Sequence, residues 1–230
     1  ELDAVQRMPD GHVMWVEGPE RSRALRMAPV DVGPALAARL WDETTAVLTS
    51  ATVPPAAEAR LGIPLDRSTR LDVGSPFDHE HNAVLYCAAH LPDPREVTWE
   101  GAAHAEMRAL IEAAGGRTLA LFTSYRAMDA AAEVLGPRLD VPVLTQRDLP
   151  KPALIEAFAA DEPTCLFATL GFWQGVDVPG RTLSLVTIDR IPFPRPDEPL
   201  MQARREVARG EAFRLVDLDR AATLLAQGAG

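Results

Sequence analysis

The sequence predicts an α/β protein with a doubly wound, mostly parallel sheet and helices on both faces. Apolar runs of strand length alternate with helical patterns along most of the 230 residues, which is typical of a parallel sheet. The runs are continuously apolar, as in strands that are covered on both faces. None approaches the roughly 18 residues that a membrane span needs, so no membrane partner is expected.

The N-terminal part of the sequence mixes a strand pair with short helices. The predicted elements are strands at 12–17 (HVMWVE) and 24–30 (ALRMAPV), a helix in VGPALAARLWDE, a buried strand at 45–52 (TAVLTSAT), and a short helix that opens at Pro54 and Pro55 and runs through Leu61.

A polar loop over 66–82 separates this part from a regular alternation of elements, and it predicts a boundary between units 1–76 and 77–230. After it come strand 83–89, helix 98–114, strand 117–124, helix 125–139, strand 141–145, helix 152–160, strands 164–170 and 182–188, helix 198–208, and a last helix from about residue 218.

The net charge of −10 argues against a basic, sequence-blind nucleic-acid coat. It leaves room for a groove lined by backbone N–H groups and a few arginines. Cys87 and Cys165 lie far apart in apolar runs and are expected to be reduced core residues. A cytoplasmic location fits this composition.

Ligands of such sheets bind beyond the carboxyl ends of the strands, and four stretches follow predicted strands: TSAT, FTSY, GFWQGVDVPG and IDRIPFP. In FTSY, Ser124 is placed to cap the next helix, and a helix N-terminus suits a phosphate. A plain cap without a ligand is the alternative.

GFWQGVDVPG, at 171–180, combines glycines with one acid and two aromatic residues. Gly171 and Gly175 allow a close approach or a positive φ, and Asp177 could accept from a ribose hydroxyl or from a metal-bound water. Phe172 and Trp173 could face a base. The alternative is a tight turn with two core aromatics and a capping aspartate.

Other motifs are absent or weak. The sequence has neither a Gly-x-x-x-x-Gly-Lys-Ser/Thr loop nor a Gly-x-Gly-x-x-Gly turn. The acids and histidines at 78–81 lack helical ligand spacing and are interpreted as a solvated turn, so no metal site is predicted.

Taken in order, these stretches resemble the rear half of a superfamily-two helicase, and most of all the XPD-like DNA helicases of the bacterial DinG branch. The resemblance lies in LTSAT at 48–52 (third motif), SPF at 75–77, LFTSY at 121–125 (fourth), GFWQGVDVPG (fifth), IDRIPFPRPDEPL at 188–200, and QGAG at 227–230, the opening of the sixth. It implies that 1–76 is the end of a first motor domain or a connecting segment, and that 77–230 is a second, RecA-like motor domain truncated within the sixth motif.

The resemblance also implies roles for individual residues. These are catalysis by Asp177, Gln227 and Gly230; nucleotide binding by Gly175, Asp177 and Gln227; coupling by Thr49, Ser50, Ala51 and Thr52; and DNA binding by Ser124, Tyr125, Arg126, Thr169 and Trp173. Many family members carry glutamate where this chain has Gln174.

By the same resemblance the whole protein uses ATP and Mg²⁺, bound mainly by the first motor domain, and moves on single-stranded or forked DNA, 5′ to 3′, in repair or replication. The phosphate loop, the magnesium acid pair and a possible iron–sulfur cluster would lie upstream. We therefore interpret the chain as part of a longer protein and expect it alone to be inactive. A non-catalytic nucleic-acid or protein-binding module, or half of a nucleotide-sugar transferase, are the alternatives.

Overall fold

The computed structural model describes residues 8–54, 56–176, 178 and 180–229. Contacts divide these residues into two compact units. The first comprises the described part of 1–74 together with 193–223, and the second comprises 75–192 together with the described part of 224–230. The division predicted from sequence had assigned 193–223 to the second unit.

The secondary structure follows most of the predicted order. The strands are β1 (His12–Glu17), β2 (Ala24–Pro29), β3 (Thr118–Leu121), β4 (Val143–Thr145), β5 (Cys165–Ala168) and β6 (Leu185–Ile188). The helices are α1 (Gly33–Leu36), α2 (Ala57–Leu61), α3 (His79–Asn82), α4 (Trp99–Ala114), α5 (Tyr125–Leu135), α6 (Lys151–Ala160), α7 (Pro199–Ala208) and α8 (Asp219–Ala229).

In the first unit, β1 and β2 form the predicted antiparallel pair, with His12 opposite Pro29 and Glu17 opposite Ala24. Helix α7 packs against β1, and the Arg204 guanidinium donates to the Val30 carbonyl oxygen (3.0 Å). The unit is therefore held partly by a segment distant in sequence.

The second unit is built on a parallel sheet in the order β4-β5-β3-β6. The chain crosses from β3 to β4 through α5 and returns from β4 to β5 through α6. Because parallel crossovers are right-handed, connections that run in opposite directions lie on opposite faces. The two helices therefore cover the two sides of the sheet, as the predicted fold class requires.

The packing on each face follows from strand alternation. Ala120 and Phe167 belong to a cluster with α4 and α5, whereas Leu121 and Leu166 belong to a second cluster with α6 and the C-terminal part of α8. Both clusters are buried, so the sheet presents only its edges and strand ends to solvent. The predicted α/β sheet with helices on both faces is confirmed.

Two predicted buried strands are wrong. Residues 45–52 and 83–89 lie outside any strand, and Val47 and Val84 are 87% and 94% exposed. An apolar run becomes a buried strand only when a neighbour accepts its backbone hydrogen bonds, and none of the described residues pairs with these segments. Cys87, expected in the core, is exposed for the same reason, whereas Cys165 is buried.

The helix predicted over 125–139 is also shorter than expected. It ends at Leu135, and residues 136–138 form a 3₁₀ turn that contains Pro137. Within the described residues, no helix has the length and apolar character needed to cross a membrane.

The turn before β3 depends on Gly116, and we expect Gly116→Ala to destabilise the second unit by more than about 2 kcal/mol. The residue has φ +78°, and an added Cβ would lie 1.7 Å from the Pro163 carbonyl oxygen. Urea unfolding measures the loss. Gly136→Ala is the matched control, because φ is −51° there and an added Cβ would meet open space. A loss at Gly116 no larger than that at Gly136 would contradict the packing.

Candidate functional site

The candidate site lies at the end of the parallel sheet where the carboxyl ends of its strands meet. Strands β3, β4, β5 and β6 end at Leu121, Thr145, Ala168 and Ile188, and the stretches that follow them carry most of the predicted site residues. Beyond these positions the backbone has no regular ladder, so side chains hold the turns.

The turn after β3 leads directly into α5. The Ser124 hydroxyl accepts a hydrogen bond from the Ala127 N–H (3.2 Å), which confirms the predicted N-cap. Tyr125 and Arg126 follow in the first turn, and both side chains are exposed. Accessible N–H groups, a hydroxyl and a guanidinium suit the backbone of a nucleic acid.

Gln146, just after β4, joins two of the predicted DNA-binding residues. Its amide nitrogen donates to the Tyr125 hydroxyl (3.0 Å), and its amide oxygen accepts from both the N–H (2.7 Å) and the hydroxyl (2.8 Å) of Thr169. Thr169 is buried. The structure therefore links Tyr125 and Thr169 through one side chain. The Thr169 hydroxyl is hydrogen-bonded to Gln146.

Arg147 orients the exposed ring of Tyr125. Its guanidinium lies 4.7 Å from the ring centroid and donates two hydrogen bonds of 2.9 Å to the Asp129 carboxylate. The hydrogen bond from Arg147 holds the pKa of Asp129 below its ordinary value. The guanidinium is thus shared between an aromatic ring and a carboxylate, so it orients the ring without adding net charge beside the cap of α5.

Asp189, the first residue after β6, contacts the turn after β3. Its carboxylate accepts from the Thr123 N–H (3.0 Å) and from the Thr123 hydroxyl (3.4 Å). Burial raises the pKa of Asp189 to about 6, although these hydrogen bonds and Arg190 oppose the shift.

The aromatic pair of GFWQGVDVPG lies in the core. Phe172 and Trp173 are each 2% exposed, so the interpretation as two core aromatics describes this structure. An added Cβ at Gly228 would lie 2.6 Å from the Trp173 ring, which shows how closely α8 packs on the indole. Contact between Trp173 and DNA would require this packing to open.

Lys151, the only lysine in the sequence, fastens the same turn. Its ammonium donates to the carbonyl oxygens of Gly171 (2.7 Å) and Gln174 (2.8 Å) and lies 5.0 Å from the centroid of the Phe172 ring. The turn is thus held from the first residue of α6.

Gln227, a predicted nucleotide-site residue, contacts the same turn through Gln174, the neighbour of Gly175. The Gln174 side chain donates to the Gln227 side chain of α8. Gly175 has φ +68°, the second of the two possibilities that the sequence left open there. Asp177 and Gly230, predicted to act in catalysis, lie outside the described residues.

The predicted coupling residues form a turn in the first unit. The Thr52 N–H donates to the Ser50 hydroxyl, which in turn donates to the Thr52 carbonyl oxygen, both at 3.2 Å. Thr49 and Ala51 are exposed. The Ser/Thr-rich turn is present, although the buried strand expected before it is not.

Sequence reasoning missed Gln146, Lys151 and Asp189 as organisers of the edge. Gln146 directly follows β4, a strand end that lies outside the four stretches considered. Asp189 lies within IDRIPFP, which was considered, but the acid was given no role there. The rarity of lysine was the only signal at Lys151.

Comparisons with known proteins agree with the fold. A family model described as a helicase C-terminal domain matches residues 107–230. A solved structure of an XPD helicase superposes with a TM-score of 0.67 at 18% identity, covering 99% of this chain and 42% of that one.

Curated relatives are also similar. The ATP-dependent helicase DinG of Mycobacterium tuberculosis (strain ATCC 25177 / H37Ra) is 50% identical over 97% of this chain and 36% of its own length. The ATP-dependent DNA helicase YoaA of Escherichia coli (strain K12) is 35% identical over 96% of this chain and 36% of its own. The chain therefore spans about a third of these relatives.

We expect Lys151→Met to loosen the 171–176 turn, because two carbonyl oxygens lose a charged donor. Amide hydrogen exchange there should accelerate, while the free energy of unfolding falls by about 1 kcal/mol. Peptides covering β3 serve as the internal control and should be unchanged. Exchange equal to wild type in the turn would show that the ammonium does not hold it.

Proposed function

The chain belongs to the helicase C-terminal domain family, and we propose that the protein containing it is an ATP-dependent DNA helicase. The protein would couple ATP hydrolysis to 5′-to-3′ translocation on single-stranded or forked DNA, in repair or replication. The contact of Gln146 with both Tyr125 and Thr169 carries the proposal. It supports a shared nucleic-acid surface for the turns after β3 and β5.

Single-stranded DNA would lie across the N-terminus of α5. Ser124 and the free N–H groups of the first turn would contact phosphates, while Arg126 would add charge. Because such contacts reach the sugar–phosphate backbone, the grip would be insensitive to sequence, as a translocating motor requires. The exposed Tyr125 ring, with Arg147 on it, could stack on a base. Trp173 would contribute only in a state in which α8 has moved.

The nucleotide would lie beyond the fifth-motif turn. Gly175, Asp177 and Gln227 are the proposed contacts, and Gly230 would lead into the helix that presents a charge-stabilising arginine. An arginine that stabilises the negative charge of the transferred phosphoryl group in the transition state is worth about 10³–10⁵ in rate. Mg²⁺ would be held mainly by residues of the first motor domain, as the resemblance to XPD-like helicases implies.

Coupling would run through the short segment that joins the two surfaces. Thr169 touches the Tyr125 cluster through Gln146, and Gln174, five residues later, touches Gln227. The segment between them contains a 3₁₀ turn and is fastened by Lys151. Because this segment is short and held at both ends, a displacement of Gln174 and Gln227 at the nucleotide would also displace Thr169 at the DNA surface. Thr49–Thr52 would serve the same purpose from the first motor domain, and the protein would work in the cytoplasm.

We expect the 230-residue chain alone to show no DNA-stimulated ATP hydrolysis, because the sequence lacks a phosphate-binding loop. The full-length protein should hydrolyse ATP, and single-stranded DNA should stimulate it. Steady-state phosphate release from both proteins at equal concentration measures the difference. Stimulated turnover by the chain alone would contradict the division of labour, and none by the full-length protein would favour a non-catalytic module.

In the full-length protein, Asp177→Ala should lower the kcat of ATP hydrolysis at least about tenfold while changing DNA affinity less than about twofold. The reason is that the acid is proposed to face the nucleotide. Asp140→Ala provides the control, because Asp140 is an exposed acid just before β4, at the opposite edge of the sheet. Equal turnover of Asp177→Ala and wild type would remove the assigned role.

A further inference from the structure

Asp189 is a partly buried carboxylate at the carboxyl edge of the sheet. Its backbone N–H continues the β6–β3 ladder by donating to the Leu121 carbonyl oxygen (3.1 Å). Its side-chain carboxylate accepts the next two hydrogen bonds, from the N–H and the hydroxyl of Thr123. Regular pairing of β3 with β6 stops at Leu121, so the carboxylate acts as a substitute for the next rung.

Thr123 connects the core to the candidate DNA surface. Phe122 before it is buried and packs against Phe167, with ring centroids 5.6 Å apart. Ser124 after it caps α5. Fixing the backbone of Thr123 therefore fixes the direction in which the first turn of α5 leaves the sheet.

Four other charged or titratable side chains line the small cavity that Asp189 borders. They are Glu100 and His104 from α4, Arg126 from α5, and Arg190. The Arg190 guanidinium lies 4.2 Å from the centroid of the Trp99 ring, and Arg190 opposes the rise in the Asp189 pKa. Burial lowers the pKa of His104.

We propose that Asp189 is a positioning residue for single-stranded DNA binding, acting through Thr123 to hold the N-terminus of α5 in its binding-competent direction. The inference rests on the proposed function and deepens it. A turn that is fixed before binding loses less conformational entropy when DNA arrives. A carboxylate achieves this better than a neutral group, since hydrogen bonds to an ionised acceptor are the stronger ones.

The raised pKa separates this role from a contribution to stability. A group whose folded-state pKa lies above its unfolded value favours folding below the unfolded pKa, and that contribution is lost as pH rises through the folded pKa. Ionised Asp189, with a pKa of about 6 against an ordinary 3.8, therefore opposes folding near neutral pH. Asp189→Asn should be at least as stable as wild type there, so weaker DNA binding would not reflect unfolding.

The test compares Asp189→Asn with wild type in the full-length protein, using fluorescence anisotropy of a labelled oligothymidylate at constant ionic strength. At about pH 7.5, where Asp189 is ionised, we expect Kd to rise about three- to tenfold. Near pH 5, where wild-type Asp189 is mostly protonated, the two proteins should bind within about twofold of each other. Thermal unfolding of both proteins at each pH accompanies the titration.

Two further variants sharpen the comparison. Thr123→Val removes the hydroxyl contact and keeps the amide contact, so a smaller loss with the same pH trend is expected. Asp161→Asn is the matched control: that carboxylate accepts from the Thr164 hydroxyl (2.6 Å) just before β5, at the opposite edge of the sheet. It should bind DNA like wild type at every pH.

The outcomes are distinguishable. Wild-type binding matched by Asp189→Asn at pH 7.5 would overturn the positioning role and leave the proposed function standing. A Kd ratio that is large but constant across pH would also overturn it, because the ionised form would then carry no advantage. Absence of oligothymidylate binding by the wild-type protein would overturn the proposed function together with this inference.

Discussion

The candidate site depends on where the parallel pairing stops. Strand β3 is bonded on both sides, to β5 and to β6, and its last paired residue is Leu121. Up to that point the backbone satisfies itself, and the two buried clusters hold the sheet rigid. Just beyond it the Phe122 N–H still donates to the Ala168 carbonyl oxygen of β5 (2.8 Å), and the Asp189 N–H donates to the Leu121 carbonyl oxygen (3.1 Å). The chain then turns within a few residues, and its N–H and carbonyl groups no longer face a neighbouring strand. Each such group needs another partner or access to water.

Three polar side chains are among these partners. Gln146 bonds Thr169, Asp189 bonds Thr123, and Lys151 bonds two carbonyl oxygens of the fifth-motif turn. Each reaches across from a different strand end or helix start. The turns are therefore tied to one another as well as to the sheet, which suits an edge whose parts are proposed to respond together to a nucleotide and to DNA.

Much of the second unit could be predicted because its elements carry their own local signals. Ser124 is a capping residue, and Leu166 and Phe167 continue an apolar run that ends at a glycine-rich turn. Residues 45–52 and 83–89 carry the same apolar signal, yet they are not strands, since apolar character cannot reveal whether a pairing partner exists. Trp173 shows a related limit. The sequence around an aromatic residue in a glycine-rich turn does not distinguish a side chain that contacts a ligand from one that fills the core.

The single lysine has a practical consequence for chemical labelling. Amine-directed reagents, such as succinimidyl esters and lysine cross-linkers, would find Lys151 as the one side-chain target within these 230 residues. Acylation there abolishes the positive charge that spans the Gly171 and Gln174 carbonyl oxygens. A protein labelled with a dye or biotin, or attached to a surface, by that route would thus have lost the contact that holds its fifth-motif turn. Labelling the thiol of the exposed Cys87 leaves that contact intact.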